Sequence, residues 1–226
     1  MEKKRIMIGI TTAETVAHET MQSIYNLKVP EDCETVLQIV HAYNVADGRN
    51  DLVYLMYINN CDYLFFVDND VVLPENALMD LYNMKWYFSV GTYPRKEYDT
   101  VAAQVTNGFV WTTLYWHEDS NKEVFCPKFL PFEELHEGII TPVDCCGLGC
   151  ALISKDLFDK IEKPWFFFAH EGDPNELNKG EYCIGEDMYF CRKVIKDAGI
   201  QIWAHGSVIC GQVGKYIYEF PKRVNS

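Results

Sequence analysis

Asp62-Tyr63-Leu64-Phe65-Phe66-Val67-Asp68-Asn69-Asp70-Val71 decides how this chain is read. Tyr63 to Val67 is an unbroken apolar run, rich in aromatic and β-branched residues, the pattern of a strand buried on both faces. It stops at two carboxylates with one residue between them. A buried strand that delivers two acids at its carboxyl end places them where open α/β sheets bind ligands. Asp and Asn are also ordinary turn residues, so a solvated acidic turn is the alternative. Against it, Pro74-Glu75-Asn76 already supplies a turn and a helix start a few residues later.

Similar units lie on either side of this stretch. Ile6 to Ile10 reads as a first buried strand, with Thr11-Thr12-Ala13 as its polar exit. Met21, Ile24, Tyr25 and Leu27 give a helical stripe within Thr15 to Leu27, which Pro30 ends. Thr35 to Val40 is a second strand. Asp47 is the expected N-cap of the next helix, whose apolar face carries Leu52, Leu55 and Met56. Pro74 is placed to open a third helix, with Ala77, Leu78, Leu81 and Tyr82 as its buried stripe. Phe88 to Thr92 is a fourth strand that leaves Tyr93-Pro94-Arg95-Lys96 at its end. Strands alternating with helices imply a mostly parallel sheet with right-handed crossovers. In that topology Thr11, the Asp68/Asp70 pair and Arg95 share one edge.

The pattern changes after Thr100. Val101 to Val105, Phe109 to Tyr115 and Val124 to Leu130 read as short strands of a small antiparallel extension. Gly147-Leu148-Gly149 precedes the strand-like Cys150 to Ile153. Those glycines serve either a close backbone approach or a tight bulge, and they lack the spacing of a phosphate loop. Ser154 is placed to cap a short helix carrying Leu157, Phe158 and Ile161. Pro164-Trp165-Phe166-Phe167-Phe168 is an aromatic block, mostly core. A polar loop spans His170 to Tyr182. Gly185-Glu186-Asp187 opens a strong helix that Gly199 terminates. Ile200 to Ala204 is the last strand and leads to His205.

Bulk composition narrows the function classes. The chain has 226 residues, 48% hydrophobic and 14% aromatic, enough for one sizeable core, so a single domain is expected over 1–226. A formal charge of −13 argues against nucleic-acid partners. An anionic ligand would then need a metal ion or a few local cationic side chains. The apolar run Ile6 to Ile10 is too short for a signal peptide, and no membrane span is expected. Nine cysteines without a CxxC pair fit reduced thiols in a cytoplasmic protein better than a zinc site.

Taken together, the Thr-ended first strand, Gly48-Arg49-Asn50, Asp68-Asn69-Asp70, Gly147-Leu148-Gly149-Cys150, Pro164-Trp165-Phe166 and Gly185-Glu186-Asp187 resemble a GT-A glycosyltransferase of the family 2 type. More narrowly, the order resembles small stand-alone enzymes of bacteria, phages and large DNA viruses. The resemblance implies an α/β, Rossmann-like GT-A fold, with residues 1–99 as a nucleotide-binding half and 100–226 as an acceptor-binding half. It implies transfer of a sugar from a nucleotide-diphosphate sugar donor to a carbohydrate or glycan acceptor, with inversion. Asp70 would hold Mn²⁺ or Mg²⁺, and Asp68 would share the ion or bind the ribose. Thr11, Arg49 and Arg95 would contact the nucleotide. Asp187 would be the base, with Glu186 second. Related enzymes often carry a pattern like Cys-Gly-His-x-Gly after the last strand, with the His as a metal ligand. Here the matching run is Cys210-Gly211-Gln212-Val213-Gly214. Either His205 supplies the nitrogen, or the ion is held by Asp70, phosphate and water.

Other readings start from the same residues. Phe65 to Val72 also resembles the first motif of haloacid-dehalogenase-like phosphatases, in which Asp68 would be a nucleophile and Asp70 a general acid. That motif normally sits on a first strand, and here other units precede it. A non-catalytic nucleotide-sugar-binding module is another reading, favoured by Gln212. A sugar-nucleotidyltransferase would want a glycine-rich, basic loop after Ile10, which this chain lacks.

Overall fold

A computed structural model describes residues 3–94, 111–117, 127–131, 135, 137–171, 182–214 and 217–219. In chain order the strands are β1 (Lys4–Thr12), β2 (Cys33–His41), β3 (Tyr63–Val67), β4 (Val71–Val72), β5 (Phe88–Thr92), β6 (Trp111–His117), β7 (Pro127–Pro131), β8 (Ile140–Val143), β9 (Cys145–Cys146), β10 (Cys150–Ser154), β11 (Ala169–Glu171), β12 (Tyr182–Ile184), β13 (Ile202–Ile209), β14 (Gly211–Val213) and β15 (Ile217–Tyr218). The helices are α1 (His18–Tyr25), α2 (Val45–Ile58), α3 (Ala77–Asn83), α4 (Lys155–Phe158) and α5 (Glu186–Ala198).

Seven strands form the central sheet in the order β2-β1-β3-β10-β5-β13-β8. β1 pairs parallel with β2 and β3, and β13 pairs parallel with β5. β10 runs antiparallel between β3 and β5, and β8 runs antiparallel at the β13 edge. The sheet is therefore mostly parallel, with its one internal reversal at β10. β10 lies beyond residue 100 in sequence, so two strands of the first half of the chain are joined only through a strand of the second.

Alternate residues of the strands feed two cores. Met7, Leu64, Phe66, Ala151 and Ile153 face α2 and α5 and pack with Leu52, Met56, Phe190 and Val194. Ile6, Ile8, Phe65, Val67 and Leu152 face the other side and pack with Leu78, Leu81 and Tyr82 of α3. Both faces of β3 are covered, which is why its sequence is continuous hydrophobe rather than alternation.

Several element boundaries differ from the sequence expectation, each for a local reason. Asn44, not Asp47, caps α2: its side chain accepts the Ala46 N–H at 2.9 Å, and Asp47 sits exposed in the first turn as a dipole complement. Pro74 closes a turn one step ahead of α3, its carbonyl accepting the Ala77 N–H at 2.9 Å. The last strand runs on to Ile209 instead of ending at Ala204, because β8 pairs with its first part and Thr92 of β5 pairs with Ile209. The small sheets are β7-β6-β9, β15-β14-β4 and β11-β12. The expected strand Val101 to Val105 lies outside the described residues, as does most of the polar loop after Glu171.

Cys33, Cys61, Cys145, Cys146, Cys150, Cys191 and Cys210 are free and buried. Cys146 Sγ lies 3.8 Å from Cys191 Sγ, and burial pushes the Cys145 and Cys146 thiols up. They serve as small core side chains behind α5. No helix among the described residues is long and apolar enough to cross a membrane.

Candidate active site

A cavity of about 440 Å³ opens at the carboxyl ends of β1, β2, β3 and β5. It is lined by Thr11 and Thr12 at the end of β1, Tyr43 after β2, Arg49 from α2, Asp68 and Asp70 after β3, and Tyr93 after β5. The α5 start adds Glu186 and Asp187, and β14 adds Gln212. Glycines set the closeness of this packing. A Cβ on Gly48 would lie 2.8 Å from the Thr11 methyl, so only glycine lets α2 close onto the end of β1.

The centre of the site is a buried chain of polar contacts. Arg49, 5% exposed, donates from Nη1 to Glu186 Oε1 and from Nη2 to Asp68 Oδ1 at 3.1 Å. The Tyr93 hydroxyl donates to the other Asp68 oxygen, Oδ2, at 3.2 Å. The backbone N–H of Gly149 in turn donates to that hydroxyl at 3.0 Å. Burial opposes the Arg49 charge, but Asp68 and Glu186 outweigh it and hold the guanidinium firmly protonated. Burial and the Asp68 charge push the Tyr93 phenol well up, so it stays a donor. Asp68 thus has both oxygens engaged within the protein.

Asp187 stands differently. Its carboxylate accepts the Met188 N–H of its own helix start at 2.7 Å. Burial first, and the Glu186 charge second, raise its carboxyl from 3.8 to about 7, with Arg49 pulling the other way. A carboxylate that releases its proton near neutrality is suited to general-base work.

Asp70 lies across the mouth from that network. Gln212 Nε2 donates to Asp70 Oδ1 at 3.3 Å, while Gln212 Oε1 is buried with no hydrogen-bond donor. Asn69, between the two acids, faces the other way and ties the loop after β1 to this turn. Its Nδ2 donates to the Thr15 carbonyl at 2.8 Å and to the Thr12 hydroxyl at 3.3 Å.

Among the described residues no three His, Cys, Asp or Glu side chains converge to hold a metal ion. The donors present at the mouth are carboxylate and amide oxygens, and one of them is orphaned. That set fits a hard divalent cation of the kind that takes few protein ligands and completes its shell with phosphate oxygens and water.

Thr11, Arg49, Asp68, Asp70, Glu186 and Asp187 are thus brought to one cavity. His205 is not. It lies within β13 opposite Ile140, its Nδ1 accepting the Ser207 N–H at 3.2 Å, because the strand continues past the point where a loop was expected. Arg95 lies outside the described residues. Arg49 is enclosed by two carboxylates of the chain rather than reaching outward. Asn50 next to it bonds the Ala46 and Phe166 carbonyls and takes the Phe166 N–H, stapling α2 to the aromatic block. Sequence reasoning passed over Tyr93 and Gly149 as partners of Asp68. The one available signal for Tyr93 was its place just after a strand, at the same edge as Asp68.

No protein-family model and no curated protein sequence matches the chain. Among solved structures it is similar to A197 from STIV, at 19% identity and a TM-score of 0.57, over 98% of this chain and 97% of that one. It is also similar to GalNAc-T7, whose structure holds UDP, GalNAc and Mn²⁺, at 11% identity and a TM-score of 0.52. That match covers 96% of this chain but 45% of the other, so the present chain spans less than half of it. At these identities the likeness establishes the fold, which is of the GT-A type, a fold found among glycosyltransferases.

Proposed function

We propose that this chain is a metal-dependent glycosyltransferase that moves a sugar from a nucleotide-diphosphate sugar to an acceptor hydroxyl, with inversion. The observation that carries the reading is the charge of the cavity. Among the described residues, four carboxylates line it against one guanidinium, and that guanidinium is already paired with two of them. A pyrophosphate enters such a site only with a cation to offset its charge. Asp70 at the mouth, with carboxylate and amide oxygens beside it, is where Mn²⁺ or Mg²⁺ would be held. Bound there, the ion would neutralise the diphosphate and help it leave.

The chain's own residues do the rest. Thr11 and Tyr43 form the wall on which the nucleoside lies. Asp68, fixed by Arg49 and Tyr93, presents a rigid edge beside it. The acceptor oxygen attacks the anomeric carbon as its proton passes to Asp187. The bond from that carbon to the diphosphate oxygen breaks, and its electron pair stays with the phosphate. The transition state has oxocarbenium character, by analogy with glycosidases. Glu186 is less suited to the proton, because its carboxylate is paired with Arg49.

Calorimetry with UDP and GDP, with Mn²⁺ and then with a chelator, tests this. Affinity that depends on the metal and is lost in Asp70→Ala supports it. Nucleotide binding that is indifferent to both would overturn it.

A further inference from the structure

We infer that Gln212 is an oxygen ligand of the divalent cation held by Asp70, and that it biases the site toward hard cations. This rests on the cation site proposed above and adds a residue to it.

The placement does not depend on the side chain. β14 pairs antiparallel with β4, Gln212 opposite Val71, and the Val213 N–H donates to the Asp70 carbonyl at 2.7 Å. The backbone therefore pins Gln212 beside Asp70. The side chain then makes one long hydrogen bond, Nε2 to Asp70 Oδ1 at 3.3 Å, and leaves Oε1 buried without a donor. A buried acceptor left unpaired costs about 1–3 kcal/mol. Nothing among the described residues offsets that cost.

A half-turn of the carboxamide exchanges its oxygen and nitrogen. The amide oxygen then faces the Asp70 carboxylate, an arrangement that is repulsive unless a cation lies between them. Adjacent oxygens around a six-coordinate ion at the Mg²⁺ bond length stand about 3 Å apart, close to the present separation of the two side-chain heads. The same half-turn turns the orphaned acceptor into a ligand. A carboxylate with an amide oxygen is an all-oxygen donor pair, which suits Mg²⁺ and Mn²⁺, whereas an imidazole in that place would suit Zn²⁺. The other role open to Gln212 is to steady Asp70 by donating an N–H.

Substitution at Gln212 separates the two roles, read by Mn²⁺ electron paramagnetic resonance with Mn²⁺ alone as the probe. Loss of a partner outside the coordination shell already weakens metal binding by about 10-fold or more. Gln212→Leu is therefore expected to weaken Mn²⁺ binding by at least about 10-fold. Gln212→Glu, which has no N–H to donate but keeps an oxygen, is expected to bind Mn²⁺ at least as well as the parent. Gln212→His is expected to move the Zn²⁺-to-Mg²⁺ preference toward Zn²⁺. The inference is overturned if Gln212→Leu binds like the parent or if Gln212→Glu loses binding. Should Gln212→Leu fail to fold, the Glu and His variants carry the test. If Asp70→Asn loses Mn²⁺ while Gln212→Leu keeps it, only this inference falls. If Asp70→Asn binds like the parent, the cation site itself falls, and the proposed function with it.

Discussion

Arg49 on α2 donates to Glu186 at the start of α5, joining two helices whose contact residues lie 137 positions apart in sequence. The same guanidinium holds Asp68 at the end of β3, so one cation positions an acid from each half of the chain. Both Arg49 and Glu186 are nearly closed to solvent. In such a setting the value of the pair lies less in its attraction than in what remains when one partner is removed.

Arg49→Met should therefore destabilise the fold by about 3–5 kcal/mol, since it leaves the buried Glu186 and the partly buried Asp68 without the cation they share. Adding Glu186→Gln should cost less in that background than in the parent, because the ion pair it would break is already gone. Urea unfolding of the four proteins of this cycle measures the coupling. Additive losses would show that the two side chains do not act together.

Asp187 predicts opposite pH trends for activity and stability. As a base it must be ionised, so turnover should rise as pH passes through about 7. Its ordinary value is 3.8, so between those limits the folded chain binds the extra proton and stability falls as pH rises, levelling off above the upper value. Asp187→Asn should remove both trends. At pH 8 it should be more stable than the parent by on the order of 2 kcal/mol, solvent contact trimming the full linkage value. Turnover should drop much more than donor affinity. Thermal melts from pH 4 to 8 and a pH–rate profile check the two halves separately.

Asp70→Ala should leave the fold intact, because the side chain is partly exposed at the cavity mouth and the substitution keeps the backbone bond from the Val213 N–H to the residue 70 carbonyl. Metal-dependent activity should disappear. Parent-like sugar transfer by this variant would remove Asp70 from the mechanism.

Gly149 supplies a prediction of packing. A Cβ there would lie 2.6 Å from Asp68 Oδ2 and 2.8 Å from the Tyr93 hydroxyl. Gly149→Ala should cost about 1–3 kcal/mol through overpacking, and it should weaken nucleotide binding because Asp68 must move. A fully parent-like Ala variant, by melt and by calorimetry, would contradict the network described here.

The phosphatase reading of Asp68-Asn69-Asp70 meets the same network. A nucleophilic carboxylate needs a free oxygen, and Arg49 and Tyr93 engage both oxygens of Asp68. The acids also follow the third strand in chain order, not the first.

Local pattern carried much of this structure. The continuous hydrophobicity of Tyr63 to Val67 announced a strand covered on both faces, and the acids after it announced an edge. Gly199 announced the end of α5, whose C-cap does take the left-handed conformation, φ 63°. Pairing across the chain was not legible. Gly147-Leu148-Gly149 was compatible with a bulge or with an approach to ligand. Only the antiparallel insertion of β10 beside β3 shows that the close approach is to Asp68 and Tyr93.

By itself, then, the sequence determined the longer strands and helices of the first hundred residues, the faces they bury and the acids gathered after a strand end, because hydrophobic periodicity and chain-breaking residues act within a few positions. The tertiary structure alone decided that β10 divides the parallel strands, that Arg49 joins Asp68 to Glu186, that His205 stays within a strand and that Gln212 stands beside Asp70. Those outcomes depend on strand order, which sets the partners of buried charges and amides, and a partner more than a hundred residues away leaves no periodic trace in the chain.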